Sequence, residues 1–240
     1  MSDRIFIIDK FVNRDKVCYA APMGELSRGT DKGEAEPRGA RRKRETRSKL
    51  IEAAYRLMAE RGMEAVAINE ITEAADVGFG SFYNHFESKQ AIYDAVVAWV
   101  FEEFTARMDT LVSGISDPAE IIAVITRHTL RRAQREPLWG QFFIRESLAL
   151  RTLDRGLGQG FSRDVLKGIE AGRFSSADRF MTIASAGGAI LVSIAAAASE
   201  SQNPIVTRQN LPERCAATVL HILGLDSEEA DEIARRPLPR

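Results

Sequence analysis

Ser81, Tyr83, Asn84 and His85 gather short, directional hydrogen-bonding groups into one stretch of the chain. Their chemistry suits a nucleic-acid duplex. Tyr83 and His85 can donate to phosphate oxygens, while Ser81 and Asn84 can reach base edges. Gly80 lets the backbone approach closely, and an exposed Phe79 would pack on a thymine methyl. A helical hairpin whose polar side simply faces water is the competing reading of the same residues.

The elements that must hold these groups are legible in residues 67–86, AINEITEAADVGFGSFYNHF. The spacing predicts a helix over 68–75, with Ile71, Ala74 and Ala75 on one face. Asp76-Val77-Gly78 interrupts it. Asp tolerates the left-handed conformation that ends a helix, and Gly78 can begin another. A second helix over 79–86 buries Phe82 and Phe86, one turn apart. Two short helices joined in this way form a helix-turn-helix, whose second helix enters a DNA major groove.

The flanks favour that reading. Arg41-Arg42-Lys43-Arg44-Glu45-Thr46-Arg47-Ser48-Lys49 leads into a helix over 44–61. Basic runs are often only solvated. Here Arg42, Lys43 and Arg47 are candidates for phosphate contact, because the helix they enter packs behind the helix pair. Leu50, Ile51, Ala54, Leu57 and Met58 form its apolar face, and Gly62 ends it. Beyond the pair, Ser88 is placed to cap a helix over 88–112 whose stripe is Ile92, Val96, Trp99, Val100, Phe104 and Met108. At a rise of about 1.5 Å per residue that helix is long enough to serve two domains.

Downstream the pattern stays helical. Asp117-Pro118-Ala119-Glu120 is a start signal for a helix ending near Arg135. Further helices are expected over 138–151, 154–172, 176–199 and 212–223, with Asn203-Pro204 and Gly224 as stops. Asp226 and Glu229 can cap a short one over 226–235. No segment alternates at period two. The expected fold class is all-α: a three-helix helix-turn-helix domain over 44–104, then a helical domain over 105–226 and a tail over 227–240. Residues 1–40 read as a disordered extension.

Composition bounds the function. A hydrophobic content of 45% in 240 residues is that of a globular chain. The net charge of −1 neither supports nor excludes DNA binding, because phosphate contact is local and screened beyond roughly 10 Å. No apolar run of about 18 residues is found, and the apolar run at residues 5–8 is too short for a signal-peptide core. A cytoplasmic protein without a membrane partner is expected. Cys18 and Cys215 read as unpaired thiols. His85, His128 and His221 are scattered, without metal-ligand spacing. Gly156-x-Gly158-x-Gly160 follows no strand and lacks the rest of a phosphate-loop fingerprint. With no nucleophile elbow and no acid/base pair, neither an enzyme nor a cofactor is expected.

Residues 44 to about 104 resemble the N-terminal domain of TetR-type, tetracycline-repressor-like transcriptional regulators. The matching stretch is TRSKLIEAAYRLMAERGMEAVAINEITEAADVGFGSFYNHFESKQAIYDAVV, and its most specific part is Phe82-Tyr83-Asn84-His85-Phe86 followed by Ser88-Lys89. The resemblance implies a homodimer that reads a palindromic operator in double-stranded DNA and acts as a ligand-responsive repressor. It implies base-facing roles for Gly78, Phe79, Gly80, Ser81 and Asn84, and phosphate contacts from Tyr83, His85, Lys89 and the basic segment. Ala67, Asp76 and Gly78 depart from the common pattern, where Thr or Ser, Gly, and Ser respectively are usual. These departures bear on the DNA sequence read rather than on the fold.

The resemblance also implies a small effector bound in the C-terminal domain. Trp99, Phe104, Met108, Trp139, Phe142, Phe143 and Phe161 are the apolar candidates for its cavity, with His128 or Arg145 as polar anchor. The same aromatics would equally fill a core. The small-residue stretch MTIASAGGAILVSIAAAAS allows another backbone to approach closely. With 212–223 it could form a four-helix interface across a two-fold axis, or it could pack inside its own subunit. An effector-independent DNA-binding regulator, and a helical protein that has lost DNA binding, are the alternative functions.

Overall fold

The computed structural model describes residues 38–148, 156–198 and 205–239. Most of the expected extension, including Cys18, and the Asn203-Pro204 stop lie outside the described residues. Helices and no strands occur among those described. They are α1 (Arg38–Arg61), α2 (Ile68–Ala74), α3 (Phe79–Phe82), α4 (Lys89–Val112) and α5 (Pro118–Arg135). Then come α6 (Pro137–Ser147), α7 (Gly156–Glu170), α8 (Arg179–Ala198), α9 (Leu211–Ile222) and α10 (Ser227–Arg235). The all-α expectation holds.

The chain divides into two compact units. The first comprises Met1–Leu57 and Met63–Trp99; the second comprises Met58–Gly62 and Val100–Arg240. The partition falls inside α4, between Trp99 and Val100, a little before the expected boundary after 104.

In the first unit the core is built from the apolar faces read in the sequence. Leu50 and Ala54 of α1, Ile71 of α2, Phe82 of α3 and Ile92 and Val96 of α4 are fully buried. The helix starts follow their caps. The Ser88 hydroxyl accepts from the Ala91 N–H at 3.1 Å and opens α4. At α2, Ala67 offers no side-chain oxygen, but the Glu70 carboxylate reaches back to accept the Ala67 N–H at 2.8 Å. Half of a capping box therefore survives the missing hydroxyl.

Two elements differ from expectation. α1 begins at Arg38 rather than 44, so the basic run is itself helical, and an Arg41–Glu45 pair one turn apart (2.8 Å) supports it. α3 is a single turn, not a helix to Phe86. After Phe82 the backbone tightens: the Asn84 N–H donates to Ser81 O and the His85 N–H to Phe82 O, both three residues back.

In the second unit α5 is central, packing against α6, α7, α8, α9 and α10. Its Asp117 cap accepts from the Ala119 N–H at 3.0 Å. Residues 227–235, expected within a tail, form α10, with Ala230, Ile233 and Ala234 buried against α5 and α9. Asp226 caps it by accepting from Glu229 N–H at 2.9 Å. Buried Arg127 of α5 ties this end down, donating to the Arg236 carbonyl at 2.6 Å and to Glu213 at 3.3 Å. Arg131 shares the same Glu213 carboxylate at 2.8 Å.

Candidate nucleic-acid interface and aromatic cluster

The turn that sets the recognition residues works as its residue types dictate. Asp76 has φ +54°, in the left-handed region where Asp is tolerated, and so reverses the chain after α2. Gly78 is the extended cap of α3, at φ −62° and ψ 139°, and its carbonyl accepts the Ser81 N–H at 2.8 Å. Phe82 and Phe86 point inward, 4% exposed or less, with ring centroids 5.8 Å apart. That anchoring turns the next positions outward.

Phe79 and Tyr83 are each 53% exposed, although their own rings touch edge to face at 5.8 Å. Two adjacent aromatics left half in water form a contiguous exposed apolar patch, the kind that marks an interaction surface. Gly78, Gly80 and Asn84 are exposed beside them, with Ser81 half-buried. Nothing lies within 4 Å of where a Gly80 side chain would begin. The groups expected to touch bases therefore share one open surface around a one-turn helix.

The phosphate candidates divide. Arg42 and Lys43 are exposed on α1, and the charge of Lys43 reaches His85. Lys89 spends one donor on the Glu64 carbonyl at 3.3 Å and keeps others. His85 is half-buried with an unpartnered Nδ1, and burial, then Lys43 and Arg47, hold it below the ordinary imidazole range. It is neutral at pH 7 and offers a phosphate no full charge.

Arg47 is turned inward. It donates to the His85 carbonyl at 2.9 Å and lies 4.3 Å over the Phe86 ring. It braces the loop after α3 instead of projecting to solvent. Arg47→Ala is expected to lower the stability of this unit by about 2 kcal/mol, the sum of a charge-assisted hydrogen bond and a cation–π contact. Chemical denaturation measures that loss, and the salt dependence of DNA binding should barely change.

In the second unit the aromatics cluster. Trp139 lies 5.1 Å from Phe104 and 5.0 Å from Phe143, while Phe101 lies 5.8 Å from Phe142. Met108 is buried one turn beyond Phe104. Three of the candidates fall elsewhere. Trp99 belongs to the first unit, edge-on to Tyr55 at 5.4 Å. Phe161 on α7 is half-buried and outside this ring cluster among the described residues. Arg145 caps the end of α1, donating to Met58 O at 2.8 Å and Glu60 O at 3.4 Å, where Gly62 (φ +83°) leaves it room. It is thus committed to a helix terminus and not aimed at the cluster.

The cation at the cluster is Arg132, which sequence reading missed. Its guanidinium lies 4.8 Å from the Trp139 ring centroid and 5.4 Å from that of Phe104. Its position one turn after His128 was the available signal.

Family comparison agrees with this architecture. The model described as bacterial regulatory proteins, tetR family, matches residues 50–96. The model described as tetracyclin repressor-like, C-terminal domain, matches residues 117–236. The chain belongs to the tetR family. This regulator family accords with the expectation of a non-enzyme. The tetR-family chain is 36% identical to RolR in its crystal structure with resorcinol, with a TM-score of 0.62, covering 84% of this chain and 98% of that one. Among curated relatives, the repressor DhaR of Mycobacterium sp. (strain GP1) is 36% identical over 95 residues, 40% of this chain and 46% of that protein. The repressor KstR2 of Rhodococcus jostii (strain RHA1) is 32% identical over 81 residues, 33% of this chain and 40% of that protein. The chain thus matches less than half the length of these two curated relatives.

Proposed function

We propose that this protein is a transcriptional repressor that binds a palindromic operator as a homodimer and releases it when a small effector binds the C-terminal unit. The observation that carries the DNA-binding reading is the open surface of Phe79, Gly80, Tyr83 and Asn84 beside exposed Arg42 and Lys43. In this reading Ser81 and Asn84 meet base edges, Phe79 meets a methyl group, and Tyr83, Lys89, Arg42 and Lys43 meet phosphates. Residues 44–104 serve DNA, 105–226 serve effector and partner, and α10 completes the second unit.

The dimer reading rests on α8. By length and hydropathy this helix could cross a membrane, yet only 17% of its apolar window is buried. Gly and Ser interrupt its apolar residues, so it contains no unbroken apolar run of about 18 residues. Its exposed face carries Phe180, Met181 and Val192. The family match favours a second copy of the chain over a bilayer as the cover, and a cytoplasmic location follows from that choice.

Close ring packing alone would suit a filled core and an effector-independent regulator. Buried polar atoms without partners, including Trp139 Nε1 and His128 Nε2, favour a ligand instead. The resorcinol complex of the RolR relative supports a small aromatic effector. Its binding would shift the C-terminal part of α4 and spoil the match of two recognition helices to grooves about 34 Å apart. It acts only by preferring the state that cannot bind DNA.

Tyr83→Ala is expected to weaken binding about tenfold to operator and unrelated DNA alike, the loss of one phosphate hydrogen bond. Asn84→Ala should instead change the ranking of operator variants. Fluorescence anisotropy on a panel of labelled duplexes separates the two. Unchanged affinities in both variants would rule out this docking surface.

A further inference from the structure

Four buried polar atoms on the three helices that meet at the aromatic cluster have no hydrogen-bond partner among the described residues: Thr105 Oγ1, His128 Nε2, Arg132 Nε and Trp139 Nε1. Thr105 shares the α4 face of Phe101, Phe104 and Met108, at helical spacing. His128 and Arg132 lie one turn apart on α5. Trp139 of α6 is 1% exposed, and its ring is 5.1 Å from Phe104. Burying such groups unpaired is unfavourable, so four together call for a polar occupant.

The chemistry of the four atoms defines that occupant. Trp139 Nε1 and Arg132 Nε can only donate, so the ligand must bring acceptor oxygens. Thr105 Oγ1 and His128 Nε2 can accept a hydrogen bond, so the ligand can also carry O–H groups. One hydroxyl makes at most three hydrogen bonds, one as donor and two as acceptor. Four groups on three helices therefore need at least two oxygens. The rings of Trp139, Phe104 and Phe143 next to these groups favour a planar apolar body.

The charge state follows from what already faces Arg132. Its Nε is 3.5 Å from Glu136 and its Nη2 3.9 Å from Glu103, close enough for charge pairing without hydrogen-bond alignment at Nε. Arg127 and Arg131 share Glu213 at 3.3 and 2.8 Å. Arg107 and Arg135 are exposed, where solvent screens them. Among the described residues facing the site, Arg127, Arg131 and Arg132 are already paired with carboxylates, and an added carboxylate would sit beside Glu103 and Glu136. His128 is kept below the ordinary imidazole range by burial first and then by Arg107, Arg131, Arg127 and Arg135, so it contributes no charge at pH 7.

Resting on the effector reading above, we infer that this site takes a neutral benzene ring bearing at least two hydroxyls, held by Thr105, His128, Arg132 and Trp139. The chain has two tryptophans, so Trp99→Phe leaves Trp139 as the only indole reporter. Titrating full-length Trp99→Phe protein with 1,3-dihydroxybenzene, phenol and benzoate, followed by tryptophan emission, gives the ranking. The diol is expected to bind at least tenfold tighter than phenol, and benzoate no tighter than phenol. Thr105→Val keeps the volume and removes the hydroxyl. It should lower diol affinity about tenfold, leave phenol within about twofold, and not lower the melting temperature of the free protein. Tighter binding of benzoate, a Thr105→Val variant with full diol preference, or no binding of any probe at millimolar concentration overturns the assignment. Operator binding by the same preparation is measured alongside. If it persists while the probes fail, the ligand class is wrong and the repressor reading stands; if it is absent, the repressor reading itself has failed.

Discussion

Replacing Phe82 by alanine is expected to cost the DNA-binding unit about 3–5 kcal/mol, the usual range for removing a fully buried aromatic ring. Phe82 is 0% exposed and touches the rings of Phe86 and Tyr83 at 5.8 and 5.3 Å. Whole domains are stable by only about 5–15 kcal/mol. α3 is one turn long and cannot persist without this anchor. The variant should lose operator binding and show an earlier melting transition by circular dichroism, while the second unit still binds effector. A variant that binds operator normally would mean that α3 is held by something other than its buried ring.

Val192→Asp should have an equally large effect by another route. Val192 is 71% exposed in the single chain, on the apolar face of α8 with Phe180 and Met181. If a second copy covers this face, a carboxylate there is buried without a partner, which costs several kcal/mol. Sedimentation velocity is expected to show a monomer. Linking two half-site contacts typically adds 10²- to 10⁴-fold in avidity, so operator affinity should fall by about two orders of magnitude. The fold of each chain should be unaffected, because Val192 contributes little to its own core. A variant that remains dimeric would move the interface away from α8.

How far the sequence carried these conclusions depended on whether the signal was local. The α2–turn–α3 geometry was legible because its determinants lie within the segment: Asp76 for the left-handed turn, Gly78 for the extended cap, and Phe82 and Phe86 one turn apart. Helix starts at Ser88, Asp117 and Asp226 were legible for the same reason. The side chains that went astray are long and chose partners distant in sequence. Arg47 looked like one more member of a basic run, but a carbonyl and a ring 38 and 39 residues away draw it inward. Arg145 went to a helix end 87 residues earlier. Arg132 found the aromatic cluster with no motif to announce it. The end of α3 was overestimated because Tyr83, Asn84 and His85 continue a helical pattern while their backbone hydrogen bonds tighten to three residues.

A homodimer of this chain should grip a specific palindrome and let go for an effector. Fluorescence anisotropy with duplexes from the DNA upstream of the gene, against scrambled duplexes of the same length, tests it most directly when repeated with 1,3-dihydroxybenzene. The expected result is two subunits per site, at least about a thousandfold preference for one palindromic duplex at physiological salt, and loss of that preference on adding the diol. Equal affinity for upstream and scrambled duplexes, unaltered by any effector, would contradict it.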